Sequence, residues 1–349
     1  MWSALGNALG TLGLLYLDKP HLNRRLPMIL VVGATGQLGT AIIRRLVATG
    51  QPVRAFVRKG SNYQHLQAPG VEIAFGDLRD TASVDAACKG VDVVMATATA
   101  ILPHGSYSFK SVDGDGYKSL IDASKKHNVK QFVLISVPVT PQDKKVPAFN
   151  YRRITEERLK QSGLNYTIFQ ASLFMDCWFA FIGSNIPGRG TEAATIKRRF
   201  WFLRMFLGMV GNMIEGMNMA LVAGRADTRH AFVTTDNVAD FMVKSINHPK
   251  AQKAVFQIGG PEVLTWEQVV ATYGSVLGRK IKPLYAPNCV FRVARLLFAP
   301  FSEGASNILG LNWLVGYDTP YDVRELASTL GVKLTTAEQF LKQKASLSA

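Results

Sequence analysis

Apolar positions in the first half of the chain gather into short runs, separated by stretches where they recur with helical spacing. Residues 29–32, 53–57, 71–75, 91–96 and 129–136 are such runs, rich in Val and Ile. A short apolar run bounded by turn residues reads as a strand buried on both faces, the habit of parallel sheets. Between the runs, Ala41, Ile42, Leu46 and Val47 mark one amphipathic helix, and Tyr117, Leu120, Ile121 and Ala123 mark another. Strands alternating with helices predict an α/β fold with a doubly wound parallel sheet.

The turn that ends the first strand is Gly33-Ala34-Thr35-Gly36-Gln37-Leu38-Gly39. Glycines at spacing G-x-x-G-x-x-G between a strand and a helix make the Rossmann-type cradle of a dinucleotide. Gly33 permits the tight turn, Gly36 lets the backbone approach a pyrophosphate, and Gly39 brings helix and strand together. Ala34, Thr35, Gln37 and Leu38 complete the cradle, and the helix offers its first N–H groups and the positive end of its dipole to the anion. About 20 residues further on, an acidic side chain would hold a ribose 2′-hydroxyl, whereas an Arg accommodates a 2′-phosphate. Arg58 stands there with Lys59 beside it, so the expected cofactor is NADP(H).

Ligands of open parallel sheets collect at the carboxyl ends of the strands. Asp77 and Leu78, Thr97 and Ala98, and Ser136 occupy those ends. Asp77 either accepts from an adenine amino group or caps the helix that begins near Thr81. Thr97 and Ala98 are small enough to leave room for a cofactor. Ser136 is either a strand-end cap or a hydroxyl for nicotinamide, ribose or a substrate carbonyl.

Beyond residue 180 the pattern changes. We expect an NADP-binding domain over residues 28–180 and a smaller C-terminal α+β lobe over 181–349, with some segments returning to the sheet. Residues 200–222 are aromatic- and Met-rich, and Arg204, Gly208, Gly211, Glu215 and Asn218 recur at spacings of three and four. That spacing predicts one face of a helix whose broad apolar remainder is lobe core, a lid or a docking face. Asp236 or Thr235 is the expected cap of a helix carrying Val238, Phe241, Met242 and Ile246. Another helix is expected from Thr265, with Trp266, Val269, Val270 and Tyr273 inward, and a last one toward Phe340. Residues 290–298 form a basic amphipathic segment, a second candidate contact face.

Residues 1–27 form an extension that is uncharged from Trp2 to Leu17 and then carries Asp18, Lys19, His21, Arg24 and Arg25. At ~1.5 Å per residue the apolar part falls short of the roughly 30 Å hydrocarbon core. A surface anchor is therefore expected in preference to a span. A cleavable signal is disfavoured, because the positive charges follow the apolar run. Lys and Arg number 40 against 25 Asp and Glu, a formal charge of +15. Such a balance suits a phosphate-bearing cofactor or an anionic membrane surface, and no nucleic-acid-binding module accompanies it. Cys88, Cys177 and Cys289 stand far apart. Neither a metal nor a disulfide framework is expected, and the compartment is expected to be reducing, cytoplasmic or organelle-stromal.

GATGQLG, Phe56-Val57-Arg58, Gly76-Asp77-Leu78, the SVDGDG of residues 111–116, Val133-Leu134-Ile135-Ser136 and the SGLNYTI of residues 162–168 together resemble the atypical short-chain dehydrogenase/reductases of the NmrA-like type. Within that family the similarity is closest to a group of photosystem II assembly factors, and looser to an accessory subunit of respiratory complex I. The resemblance implies an NADP(H)-binding accessory, assembly or redox-sensing protein docked on a membrane complex, with residues 1–25, 200–222 and 290–298 as contact segments. The alternative is an NADPH-dependent reductase that passes hydride to a small apolar quinone, enone or carbonyl compound.

Reductases of the superfamily carry a Tyr-x-x-x-Lys pair, one helical turn apart, in which Lys lowers the Tyr pKa and Tyr protonates the acceptor. Here Ala148 falls at the Tyr position and Arg152 at the Lys position. Arg152 keeps the capacity to hold ribose or phosphate oxygens, but its fixed, permanent charge makes it a poor copy of a catalytic Lys. Tyr151 is either a displaced acid or a half-buried aromatic, with Ser136 and water as other proton sources. Where many relatives carry Arg-Pro after Tyr-Thr-Ile, this chain has Phe169-Gln170-Ala171-Ser172-Leu173-Phe174, an altered substrate wall in which Gln170 is a candidate partner for the nicotinamide edge.

Overall fold

A computed structural model describes residues 26–100, 103, 105–190 and 208–347. The anchor expected in residues 1–25 and the start of the 200–222 segment, Arg204 included, lie outside the described residues.

In chain order the first part comprises β1 (Ile29–Val32), α1 (Gln37–Ala48), β2 (Val53–Val57), β3 (Val71–Phe75), α2 (Thr81–Cys88), β4 (Val93–Ala96), α3 (Tyr117–Lys126), β5 (Gln131–Ser136), α4 (Pro147–Gln161) and β6 (Tyr166–Ala171). Then come α5 (Met175–Phe181), β7 (Met219–Ala223), β8 (Arg229–His230), β9 (Ala254–Ile258), β10 (Leu264–Thr265) and β11 (Lys282–Ala286). Seven strands form one parallel sheet in the order β3-β2-β1-β4-β5-β6-β9. The fold is thus Rossmann-like. Its strand order reverses between β1 and β4, which opens a crevice at their carboxyl ends. The seventh strand, β9, comes from the second half of the chain.

Side chains alternate across the sheet, so each strand feeds two cores. Leu30, Val94, Leu134 and Ile168 pack with Val84, Leu120 and Leu159 on one face. Val31, Met95, Val133 and Phe169 pack with Ile42 and Phe241 on the other. A third core, around Phe179, Phe232, Trp266, Tyr273 and Phe340, belongs to the C-terminal part.

Three sequence expectations are corrected. Asp80, not Asp77, caps α2 by accepting from the Ala82 N–H at 3.1 Å. Thr234, not Thr235 or Asp236, caps the helix Thr235–Lys244 by accepting from the Asn237 N–H at 3.0 Å. Residues 211–222 are not one helix: the short helix Met213–Met217 stops at Asn218, whose φ is +55°, and β7 follows, paired in parallel with β11. Ala220 and Val222 are fully buried there, so a period of two, not of 3.6, describes that part. Thr265 and Gln268 form a reciprocal capping box at the start of Trp266–Leu277.

Two late helices matter for function. Glu303–Leu314 packs against the main body, whereas Asn288–Phe298, which rests on it, has no buried residue. Among the described residues no helix is long and apolar enough to cross a membrane.

Candidate functional site

At the end of β1 the chain reverses through Gly33, whose φ is +90°. A Cβ at Gly33 would lie 2.5 Å from Thr97 Oγ1 and 2.7 Å from the Ala98 nitrogen, so glycine is required on conformational and steric grounds. A Cβ at Gly39 would lie 2.2 Å from the Gly33 carbonyl oxygen, which fixes how closely α1 approaches the turn. Gly36 precedes α1 with extended backbone, brings no side-chain cap, and no acidic residue occupies the first turn. The first N–H groups of α1 are left for an external anion. Open donors and a surface that any side chain would block fit the pyrophosphate of a dinucleotide.

At the β2 end of the crevice Arg58 and Lys59 are exposed. The Arg58 guanidinium lies 4.9 Å from the centre of the Tyr107 ring, and that of Arg79 lies 3.5 Å from it, both within cation–π range. Asp77 accepts from the Arg79 N–H at 2.9 Å, Arg79 Nε and Nη2 at 3.0 Å each, and the Tyr107 hydroxyl at 2.6 Å. Burial alone would raise its pKa, but the Arg79 and Tyr107 hydrogen bonds outweigh it and hold the carboxyl at about 2. Four donors fill a carboxylate's four acceptor sites. Asp77 therefore has no lone pair for an adenine amino group, a correction to the sequence reading. Leu78 is buried in the sheet's core.

Toward the centre lies a mostly apolar cavity of about 310 Å³. Its walls bring together Gln37, Leu38, Thr97, Ser136 and Arg152, while Arg58, Lys59, Asp77 and Tyr151 lie outside it. Arg152 is buried. Its Nη2 donates to the Ala98 carbonyl and stands 3.2 Å from Asp113 Oδ1, and its guanidinium lies 4.8 Å from the Tyr117 ring centre. Burial pushes the Asp113 carboxyl up against the pull of Arg152. For Arg152, burial opposes the charge, but Tyr117 and Asp113 outweigh it and raise the pKa. Arg152 Nη1 has no protein partner. A buried charged donor without an acceptor is costly, and on the cavity wall a cofactor ribose oxygen fits it.

The expected proton sources are placed differently. Tyr151 is half-buried with its ring against Gly114, where an added Cβ would meet ring carbon Cε1 at 2.9 Å, and it does not line the cavity. Ser136 donates its proton to Glu156 Oε1, which also receives Arg153 Nη1, while Gln170 Nε2 donates to Glu156 Oε2 at 2.9 Å. Ser136 thus spends its proton on Glu156 and keeps its lone pairs for a ligand, and Gln170, which gives an amide hydrogen to the same carboxylate, is not on the cavity wall. Arg153 is held in turn by Asp143 at 2.8 Å and by the Val137 and Pro138 carbonyls.

On the far wall His230 Nε2 donates to the Val315 carbonyl at 3.0 Å. Its Nδ1 therefore accepts from Thr319 Oγ1 at 2.9 Å, and Thr319 accepts from Ser172 at 2.9 Å. Burial lowers the His230 pKa to about 4 despite the Val315 carbonyl, so the imidazole is neutral. Cys177 also lines the cavity, and burial, with Asp176 adding, pushes its thiol up to about 12. Leu173, Phe174, Trp178 and Phe181 complete the apolar side.

Glu156, Asp176 and His230 carry no motif. Asp176 accepts from Gln37 Nε2 at 2.8 Å and the Thr235 N–H at 2.9 Å, tying the cradle to the second half of the chain. The one legible hint was Glu156, a helical turn after Arg152 on α4. Among the described residues no group of three or more His, Cys, Asp or Glu is placed to hold a metal.

Comparison with known proteins agrees with this architecture. The chain is 39% identical over 271 residues to the photosystem II assembly factor Ycf39 of Cyanophora paradoxa, covering 76% of this chain and 74% of that protein. It is 25% identical over 255 residues to an NAD(P)H azoreductase of Xenophilus azovorans, covering 73% and 76%. The solved structure of the NADPH-dependent quinone oxidoreductase QOR2 of Escherichia coli complexed with NADPH shares the fold, with a TM-score of 0.67, 20% identity, and coverage of 90% of this chain and 99% of that one. Residues 27–341 match the NmrA-like family, and the chain belongs to that family.

Proposed function

We propose that the chain binds NADP(H) in the β1–α1 cradle and works as an accessory or assembly protein at a membrane complex, with the cofactor as a structural or redox-sensing ligand. In this reading Arg58 and Lys59 take the 2′-phosphate, the first turn of α1 takes the pyrophosphate, and Arg152 and Ser136 take the nicotinamide ribose. The observation behind it is that the expected proton sources are spent or off the cavity wall: Ser136 gives its proton to Glu156, and Tyr151 does not line the cavity. A hydride acceptor would meet no Tyr-x-x-x-Lys pair, because Ala148 and Arg152 stand at those positions. That a 39% identical relative is a photosystem II assembly factor supports the same role. The protein would then sit on the stromal or cytoplasmic side of its membrane.

The test pairs two measurements. NADPH should quench intrinsic fluorescence saturably without steady oxidation in the presence of quinones, enones or aldehydes, and the protein should co-purify with a membrane complex from native membranes. Rapid turnover with any of these acceptors and no co-purification would overturn the reading.

One observation favours a second role. The apolar cavity, walled by Phe149, Phe174 and Trp178, suits a flat apolar acceptor such as a quinone. NADPH would give it a hydride, becoming NADP⁺, and water would supply the proton that completes the quinol.

A further inference from the structure

Fifteen large apolar side chains are exposed among the described residues, and six of them, Val290, Val293, Leu296, Leu297, Phe298 and Phe301, lie between residues 290 and 301. Single exposed apolar residues are ordinary, whereas a contiguous group marks an interaction surface. The helix that carries five of them, Asn288–Phe298, has no buried residue.

Charge identifies the occupant. Residues 268–302 hold Arg279, Lys280, Lys282, Arg292 and Arg295 and not one Asp or Glu. Exposed Lys144 and Lys145 adjoin the helix, since Arg295 Nη1 donates to the Lys145 carbonyl at 2.9 Å. No ion pair among the described residues takes up Arg292 or Arg295. Partial burial and then the neighbouring Arg292 lower the Arg295 pKa. An apolar face on a helix whose charged residues, Arg292 and Arg295, are both cations, and whose 11 residues at ~1.5 Å each span far less than a bilayer core, has the make-up of a helix lying in an anionic membrane interface.

We propose that residues 288–301 are a membrane-surface element that docks this protein directly on anionic lipid. Leu297, Phe298 and Phe301 enter the boundary of the acyl chains, while Arg292, Lys144 and Lys145 meet headgroup phosphates. The inference goes beyond the proposed role at a complex, because it assigns the lipid itself as partner and holds whether or not a complex is present.

The chain supplies its own reporter. Cys289 is exposed at the start of this helix, Cys88 is buried, and Cys177 lines the cavity. The full chain, labelled at Cys289 with an environment-sensitive dye and compared with a Cys289→Ser labelling control, is mixed with protein-free vesicles of phosphatidylcholine with or without phosphatidylglycerol. On the anionic vesicles the dye emission should shift to the blue and be quenched by spin-labelled lipid, and salt should weaken both effects. Leu297→Ser with Phe301→Ser, at positions 66% and 86% exposed and so not needed for folding, should lower partitioning at least about tenfold. Arg292→Glu should lower it about tenfold on anionic vesicles only. A dye that stays in water while the protein binds vesicles would overturn the proposal and point to another segment. Shielding only by membranes that retain their proteins would overturn it in favour of a protein partner, and absence of vesicle binding would overturn it outright.

Discussion

Replacing Arg152 by Met separates what this side chain does for the fold from what it does for the cofactor. Among the described residues, the guanidinium is the only cation paired with the fully buried Asp113, at 3.2 Å. Removing one partner of such a pair costs about 3–5 kcal/mol. Asp113 has an escape, since burial already pushes its pKa up and without Arg152 it can fold as the neutral acid. Taking up that proton at pH 7, about three units above an ordinary carboxyl, costs about 4 kcal/mol, a ceiling close to the same figure. The sign follows: the folded variant binds one more proton than its unfolded chain, so its stability falls as pH rises above about 4. Urea unfolding should show the variant's stability falling more steeply than wild type's as pH rises from 5 to 7, the deficit shrinking toward pH 5 by at most about 1.4 kcal/mol per unit. Adding Asp113→Asn keeps an acceptor for the Ala100 N–H, now 2.8 Å from Asp113 Oδ2, and should restore most of the loss and flatten the slope. NADPH affinity should stay low in the double variant, by about 10- to 150-fold, the value of a charge-assisted hydrogen bond of about 1.5–3 kcal/mol. A deficit independent of pH, or a double variant that binds NADPH like wild type, would refute the reasoning.

Arg58→Glu should weaken NADPH binding far more than NADH binding in paired titrations, and equal losses would remove the 2′-phosphate assignment. Gly39→Val should abolish binding of either nucleotide, because its Cβ would lie 2.2 Å from the Gly33 carbonyl oxygen, and a bound dinucleotide in the variant would show that the close approach is dispensable. His230, neutral with a pKa of about 4 against about 6.5 when unfolded, should lower stability as pH falls from 6.5 to 4, by about 3 kcal/mol in all; in His230→Gln that part of the unfolding profile should be flat. Maleimide in the absence of denaturant should modify Cys289 and spare Cys177, whose thiol is pushed up to about 12, as mass spectrometry of the alkylated protein would show.

The sheet and the cradle were legible because they rest on local rules. Buried parallel strands need continuous apolar runs, and Gly33 and Gly39 sit where backbone geometry excludes other residues. Arg152 was found by its register on α4. What the sequence did not disclose depends on contacts between distant segments: Asp176 meets Gln37 across 139 positions, and His230 meets Thr319 across 89. Asp77 was misread because its residue type suits an adenine acceptor, while three of its acceptor sites are filled by Arg79 two residues on and the fourth by Tyr107, which a loop after β4 brings back. Residues 211–222 were misread because spacings of three and four persist by chance through a turn at Asn218, where a left-handed backbone ends the helix.

The helix Glu303–Leu314 lends Ile308, Leu311 and Leu314 to the cavity and carries Asn288–Phe298 on its outside. A helix is only about 10 Å across, so a single rod separates whatever touches the outer surface from the apolar cavity. Thermodynamic reciprocity then binds the two sides: if surface attachment tightens nucleotide retention by some factor, a loaded pocket must strengthen attachment by the same factor.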